Sequence, residues 1–420
     1  MPVAFRVPRL VSALLILLMA SSASGYSLLT HEAIVDALWD IHLKPAILAR
    51  FPGATPDQLK EAHAYAYGGA VLQDLGYYPR GNKFFSDLTH YVRTGQFVEA
   101  LLKDAQTADE YAFALGALTH YFGDTIGHSR ATNVAEPEMY PSLRRRFGST
   151  ICYDQDPSVH VKTEFSFDVV EVAQGNFAPQ AYHDFIGFSV AIPLLTRAMR
   201  ETYGLELTQL FPHLEVSLGS FRYSVSKAIP TATRVAWAQF HDDIEKASPG
   251  MTKRRFKFVM SRSSYERNWG KQYDRPTLID RILAFIARIL PPIGPLRYLR
   301  LRIPTPTIEK LFMNSFTEAA SECRRWQLNS SLPDKNLDTG TMTGPGQYPL
   351  NDRAHAELLH LLAQNNFAGI PNAMRSELLE FYSDSNAPIE TKKHRKQWAQ
   401  VRAELAQLRK MPEEAAHSGF

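Results

Sequence analysis

The chain has 420 residues, of which 45% are hydrophobic and 21% are charged, and these proportions are typical of a folded globular protein. Its net formal charge of only +3 excludes a molecule that is a polycation over its whole surface. The length favours two domains. Two cysteines, Cys152 and Cys323, are too few for a cysteine-rich zinc site, so any metal must be bound by His, Asp and Glu. Whether the two cysteines form a disulfide is left open by the sequence.

The first 25 residues are typical of a secretory signal peptide. Two arginines precede an apolar run over residues 11–20, and small residues follow the run. The run is too short for a comfortable membrane span, so an uncleaved anchor is the weaker alternative. We predict a secreted or periplasmic protein whose mature chain begins at Tyr26, after cleavage behind Gly25. Cleavage behind Ala23 is also compatible with the pattern.

The next part of the chain is predicted to be a series of helices. The clearest is 109–121, where apolar residues recur at spacings of three and four. No alternating strand pattern and no internal repeat is present, and the sequence therefore predicts an all-α fold. Loops rich in Gly, Pro and Asp separate the helices. The other helical patterns in this part of the chain cover residues 28–48, 98–102, 181–203 and 225–247.

The composition changes after about residue 248. Residues 253–302 hold thirteen basic and three acidic residues, a net charge of +10, and include an amphipathic stretch at 278–290. A polar loop is predicted at 328–352, and no motif that carries chemistry is evident beyond residue 248. Further helices are predicted at 352–364, 374–382 and 391–410. We therefore divide the chain into a signal peptide at 1–25, a catalytic domain at 26–247, and a basic, mainly helical C-terminal region at 248–420.

Eight side chains in the N-terminal region have the chemistry of zinc ligands and follow one another at ordered spacings. A lone His-x3-Asp pair is usually a surface contact on a helix, so the number and order of these residues carry the signal. His120 and Asp124 stand at i and i+4 on one helical face and can share one metal. His128 lies about 12 Å from His120 along the axis and is turned away, so it points to a second metal. The eight residues are His31, Asp74, His90, His120, Asp124, His128, His160 and Glu164.

The ordered set resembles the zinc-dependent phospholipase C family and its relatives. The resemblance covers residues 26–164, about one third of the chain, and implies an all-helical domain that holds up to three zinc ions. The matching stretches are YSLLTH at 26–31, QDLG at 73–76, TH at 89–90, GALTHYFGDTIGH at 116–128, and His160-x3-Glu164.

The resemblance also implies a set of zinc ligands and a catalytic role. It implies that Asp74 orients or deprotonates the attacking water. The first zinc would be bound by Asp74, His90, His120 and Asp124, the second by His128, His160 and Glu164, and the third by Tyr26, His31 and Asp124. Tyr26 would bind through its terminal amine and carbonyl, where the family usually has tryptophan. The gap between Asp124 and His128 is three residues, which is shorter than in bacterial phospholipases C and single-strand nucleases. It is more similar to the gap in the N-terminal domain of glycosylphosphatidylinositol-specific phospholipase D.

Three functions compete at this stage. The first is hydrolysis of a phospholipid in the manner of a phospholipase C. It is favoured by Glu164, where related nucleases tend to have Asp, and by a basic segment at 253–302 that suits peripheral contact with anionic lipid. The second is a single-strand nuclease or nucleotidase, or a phospholipase D-type activity, with the same zinc cluster, although we expect no specific nucleic-acid partner. The third is a metal-stabilised binding protein without turnover. The oligomeric state is not predicted, and the stretch at 278–290 is about equally compatible with a core helix.

Overall fold

All regular secondary structure in the described part of the chain is helical. The computed structural model describes residues 27–78, 80–174, 189–223, 302, 304–326, 330–384 and 394–411. Within these ranges no strand occurs, and the predicted all-α fold is confirmed. The predicted signal peptide, Tyr26, the helix at 225–247 and the basic segment 253–302, apart from Arg302, lie outside the described residues.

Nine α-helices form the part of the chain that carries the predicted ligands. They are α1 (Leu28–Leu38), α2 (Lys44–Arg50), α3 (Pro56–Ala70), α4 (Lys83–Tyr91), α5 (Thr94–Asp104), α6 (Ala108–Gly127), α7 (Asn133–Met139), α8 (Pro141–Phe147) and α9 (Pro157–Gln174). Three short turns join them: π-helical turns at Trp39–Leu43 and His128–Thr132, and a 3-10 turn at Gln73–Tyr77. The predicted helices at 28–48, 98–102 and 109–121 therefore correspond to α1 with α2, α5 and α6.

Seven more helices follow in the described residues. They are α10 (Ile192–Tyr203), α11 (Leu207–Leu210), α12 (Leu214–Tyr223), α13 (Pro306–Arg325), α14 (Pro349–Gln364), α15 (Asn372–Phe381) and α16 (Arg395–Lys410). None of the helices in the described residues is both long enough and apolar enough to cross a bilayer.

Two predicted boundaries are wrong in detail. The helix predicted over 181–203 does not include residues 189–191, because α10 begins only at Ile192 and the N–H of Ser189 instead donates to the Ala64 carbonyl of α3 at 2.9 Å. The loop predicted to reach residue 352 ends earlier, since α14 begins at Pro349. Proline at the first helical position is favourable because its missing N–H would have no partner in the helix anyway.

Helix α6 is the central element of the fold. Thr107 caps its N-terminus by accepting a hydrogen bond from the N–H of Glu110 at 3.1 Å. The backbone of α6 packs directly against the backbone of α3 at two glycines, Gly116 of α6 and Gly69 of α3. A Cβ at Gly116 would lie 2.0 Å from the Ala66 carbonyl oxygen, and a Cβ at Gly69 would lie 1.9 Å from that of Phe113. This close approach brings the C-terminal end of α3 next to the ligand-bearing half of α6.

The described part of the C-terminal region packs directly on the N-terminal helices. Helix α13 lies against α6, and its Phe312 stacks on Phe167 of α9 with ring centroids 4.3 Å apart. The loop after α13 also contacts α5 and α6: Tyr121 donates to the Pro333 carbonyl at 2.6 Å, and Thr94 donates to that of Lys335 at 2.6 Å. The predicted boundary near residue 248 lies outside the described residues and stays a prediction.

The two cysteines are free thiols in the structure. Cys323 is buried and Cys152 is partly buried, and burial raises the pKa of each thiol to about 12. Both thiols are therefore protonated at neutral pH and act as small apolar groups.

Candidate metal centre

The structure brings the eight described ligand candidates together in three buried groups. Each group has three ligand atoms within 4.8 Å of one another. The groups are His31 with His120 and Asp124, Asp74 with His90 and His120, and His128 with His160 and Glu164. All eight side chains are buried, although histidines and carboxylates are seldom buried without a partner. Tyr26, the ninth candidate, lies outside the described residues, and the role of all nine as zinc ligands stays a prediction.

Asp124 joins the first two groups. Its Oδ1 lies 3.2 Å from Nε2 of His31, and its Oδ2 lies 3.0 Å from Nε2 of His120 and 3.3 Å from Nε2 of His90. The imidazole of His31 stacks on that of His120 with centroids 4.2 Å apart, in the space left by the missing side chain of Gly123. The carboxylate of Asp124 is therefore placed to bridge two metal ions.

Three of the histidines are oriented by backbone carbonyls. Nδ1 of His90 contacts the Ser86 carbonyl oxygen, and Nδ1 of His120 contacts that of Ala70, both at 2.8 Å. Nδ1 of His128 contacts the Leu337 carbonyl oxygen, also at 2.8 Å. A carbonyl only accepts, so each Nδ1 carries the proton and each Nε2 keeps a lone pair for a metal.

The ligand atoms converge without forming hydrogen bonds to one another. Among the described residues, Nε2 of His90, His120 and His128 and both carboxylate oxygens of Asp124 have no hydrogen-bond partner, although nitrogen and oxygen lie 3.0–3.5 Å apart. Ligand atoms held about 2.0–2.1 Å from a tetrahedral zinc ion lie about 3.3 Å from each other. Three imidazoles at this spacing from the carboxylates of Asp124 and Glu164 fit zinc in both chemistry and size.

Asp74 is held in the 3-10 turn at Gln73–Tyr77 and is tied to helix α4. Ser86 makes this link, because its hydroxyl accepts from the N–H of Gly76 at 2.9 Å and donates to the Gln73 carbonyl, while its own carbonyl orients His90. Oδ1 of Asp74 lies 3.5 Å from Nε2 of His90. Asp74 therefore faces His90, within the second group, from a turn that Ser86 ties to α4.

The third group lies where α6 ends and α9 begins. His128 follows the last residue of α6 in a π-helical turn, and His160 and Glu164 stand one turn apart on α9. Oε1 of Glu164 lies 2.8 Å from Nε2 of His160 and 3.5 Å from Nε2 of His128. Helix geometry indicated that His128 is rotated away from the face that carries His120. In the structure His128 accordingly faces different partners, His160 and Glu164.

Sequence reasoning missed two buried acids that lie behind this third group. Oε1 of Glu136 lies 2.5 Å from Nδ1 of His160, and Oδ1 of Asp338 lies 3.5 Å from Nδ1 of His128. Asp338 lies in the predicted polar loop, a part of the chain in which the sequence shows no motif that carries chemistry, and the loop contacts His128. Both acids face an Nδ1 atom, and the Nε2 atom of the same ring faces Glu164.

The buried charges perturb one another strongly. Burial raises the pKa of Asp124, but the histidines His120 and His31 outweigh burial and hold the pKa well below its usual value. Burial lowers the pKa of His90, but Asp124 and Asp74 outweigh it and raise the pKa to about 10. Burial and the charge of His120 lower the pKa of His31. The metal-free centre thus holds several closely coupled charges, which a bound cation would reorganise.

The family assignment agrees with this geometry. No curated protein and no solved structure matches the chain. Residues 30–211 match the family model described as zinc dependent phospholipase C, a range that contains all eight described ligand candidates. Residues 30–211 of this chain are thus similar to the zinc-dependent phospholipase C family, whose members are hydrolases.

Proposed function

We propose that the protein is a phospholipase C that hydrolyses a phospholipid to diacylglycerol and a phosphorylated headgroup. The observation that carries the proposal is the carboxylate of Asp124, which lies between His31 on one side and His90 and His120 on the other. A shared carboxylate sets two cations close together, and paired cations stabilise the attacking and leaving oxygens of a phosphoryl transfer. The described family match favours lipid over nucleic acid as the substrate class.

The side chains divide the work among three metal positions. Asp74, His90, His120 and Asp124 would hold one zinc, His31 and Asp124 with the mature N-terminus another, and His128, His160 and Glu164 the third. Zinc, when bound, polarises phosphoryl oxygens and lowers the pKa of water. Asp74 is placed to accept a proton from the attacking water or to orient that water, because its Oδ1 has no hydrogen-bond partner among the described residues.

The substrate test compares three products in one experiment. The purified zinc-loaded protein is incubated with phosphatidylcholine vesicles and, separately, with single-stranded DNA. We expect diacylglycerol and phosphocholine. Phosphatidic acid with free choline would show a phospholipase D outcome, nucleotide release would show a nuclease, and bound zinc without any turnover would favour a metal-stabilised binding protein. Each of these three results would overturn the proposal.

The role of Asp74 is tested by Asp74→Asn. We expect this variant to lose most of its activity and to keep most of its zinc, since the amide oxygen can still face the site but cannot accept a proton readily. Asp352→Asn is the matched control, because Asp352 is also buried, accepts the backbone N–H of Gly346, and belongs to none of the three groups. An active Asp74→Asn protein would contradict the assignment.

The N-terminus is part of the proposal. We propose that the protein is exported and that Tyr26 becomes the first residue, so that its terminal amine and carbonyl complete the group of His31. Asp168 holds the start of α1 nearby, since it accepts hydrogen bonds from the N–H of Leu29 at 3.1 Å and the hydroxyl of Thr30 at 2.6 Å. N-terminal sequencing of the exported protein together with zinc analysis tests this, and cleavage at any other bond would contradict it.

Peripheral membrane contact through 253–302 is a proposal that depends on the sequence alone. The net charge of +10 would attract anionic lipid, and Leu283 and Phe285 would insert their apolar side chains. The test is flotation with phosphatidylserine vesicles of the wild type and of a variant with Lys at both positions. Unchanged binding by a folded variant would refute docking through this segment.

A further inference from the structure

The loop Asn336–Gly340, which comes from the C-terminal region, crosses the metal centre. The backbone of Leu337 contacts two ligand candidates from different groups: its N–H donates to the His90 carbonyl at 3.0 Å, and its carbonyl accepts from Nδ1 of His128 at 2.8 Å. The contact with His128 spans 209 positions in the sequence. A single residue of the C-terminal region therefore links the second group of ligand candidates to the third.

Asp338 gives the same imidazole a charged neighbour. Oδ2 of Asp338 accepts from the hydroxyls of Tyr91 at 2.9 Å and Tyr348 at 2.5 Å, which leaves Oδ1 facing Nδ1 of His128 at 3.5 Å. Asp338 is 3% exposed, so water screens its charge poorly. A buried carboxylate that is already fixed by two hydroxyls holds its position when the imidazole in front of it rotates.

The loop itself is rigidly built. The side chain of Asn336 accepts from the N–H of Asp338 at 2.9 Å, and the side chain of Asn133 donates to the Asp338 carbonyl at 2.7 Å. Gly340 has φ +70°, and a Cβ there would lie 2.3 Å from the Thr125 carbonyl oxygen of α6. The turn thus lies directly on the helix that carries His120 and Asp124 and that leads into His128.

We propose that Leu337 and Asp338 are positioning residues of the metal centre, which fix the ring of His128 and thereby set the zinc affinity of the group His128, His160 and Glu164. The inference rests on the proposed zinc-dependent function. The loop keeps the proton on Nδ1, so that Nε2 stays available for the metal, and Asp338 raises the basicity of the ring. Removal of such a partner typically lowers metal affinity by about 10–100-fold.

The test is Asp338→Asn in the full-length protein, measured by zinc titration against a chromophoric chelator and by the absorption spectrum with Co²⁺. In this variant an amide N–H₂ can face the protonated Nδ1, and two donors repel. We expect one class of sites to weaken by about 10–100-fold and the remaining sites to keep wild-type affinity. Asp352→Asn, a buried acid of the same region without a ligand contact, should bind zinc as the wild type does.

Each outcome decides between positioning and a merely structural role. A structural role predicts that Asp338→Asn destabilises metal-free and zinc-loaded protein equally, whereas positioning reduces the extra stability that zinc confers. If Asp338→Asn does not fold, Tyr348→Phe removes one of the two hydroxyls that hold Asp338 and should weaken the same sites by a few-fold. Unchanged affinity in the variant that folds would overturn the inference. A wild type that binds no zinc would overturn the proposed function as well, and wild-type zinc binding without hydrolysis would overturn that function alone.

Discussion

The contact between α3 and α6 gives a sharp prediction for Gly116→Ala. The added Cβ would lie 2.0 Å from the Ala66 carbonyl oxygen, and the neighbouring atoms are backbone atoms of a second helix. Relief to about 3 Å therefore requires the two helices to separate by about 1 Å, because no side chain can move out of the way. Overpacking of this kind costs about 1–3 kcal/mol.

The expected net effect includes the gain in helix propensity. Alanine is favoured over glycine by about 1 kcal/mol in a helix interior, so we take an upper-range clash and expect a net loss of about 2 kcal/mol in the free energy of unfolding. The separation should also weaken zinc binding, since the Ala70 carbonyl that orients His120 at 2.8 Å lies at the same end of α3. Urea unfolding of the zinc-loaded protein and chelator competition measure the two effects.

Gly219→Ala is the matched control for this substitution. Gly219 lies in α12, and a Cβ there would meet no atom of the described residues within 4 Å. The same chemical change should therefore stabilise the protein by about 0.5–1 kcal/mol. If Gly116→Ala unfolds at the same or a higher urea concentration than the wild type, close backbone packing does not hold α3 against α6 and the reasoning fails.

Three further predictions concern the metal, a buried acid and pH. Removal of zinc by a chelator should lower the midpoint of thermal unfolding, and added zinc should restore it. A site whose Kd is a thousandfold below the free zinc concentration adds about 4 kcal/mol to the free energy of unfolding. An unchanged midpoint would contradict metal in the core. Glu136→Gln should weaken zinc binding by about 10–100-fold, whereas Glu138→Gln, an exposed change on the same helix, should not. Burial and the charge of Glu61 raise the pKa of Asp109 to about 6 in the folded protein. The folded state therefore binds the proton more tightly than the unfolded state, and the free energy of unfolding falls as the pH rises from about 4 through 6. Asp109→Asn should therefore gain more stability over the wild type at pH 8 than at pH 5, and an equal difference at both pH values would refute the shift.

The sequence predicted the ligand-bearing helices well because their signal is local. His120 and Asp124 stand one turn apart on α6, and His160 and Glu164 stand one turn apart on α9, so each pair shares a face whatever surrounds it. The same periodicity, read over 109–121, predicted the start of α6 to within one residue, but the helix continues to Gly127. Its end was harder to predict, since the π-helical turn at His128–Thr132 depends on contacts with α7 and the loop that follows α13.

The orienting residues could not be predicted because their contacts are formed only in the folded chain. Glu136 and Glu138 are two acids on one short helix, and nothing in the sequence separates the buried one from the exposed one. Asn336, Asp338 and Gly340 do form a recognisable turn pattern, with an Asn side chain that caps the backbone and a glycine at positive φ. That pattern predicts a turn, but it does not predict that the turn packs against His128, because Leu337 and His128 are 209 positions apart in the sequence.

These two kinds of contact fix different properties of the metal centre. Helix α6 sets the separation of the groups, because Asp124 and His128 stand four residues apart, about 6 Å along the helix axis, although His128 lies in the π-helical turn. The direction of each ligand atom is set instead by backbone carbonyls. The carbonyls of Ala70 and Leu337, on other elements, face His120 and His128, and the carbonyl of Ser86, one turn back on the same helix, faces His90. A side-chain substitution at an acceptor residue keeps its carbonyl, so only a shift of the backbone there is expected to turn one ligand ring, and such a shift leaves the spacing between groups intact. A change in the length of α6 between Asp124 and His128 alters that spacing and leaves the acceptors in place.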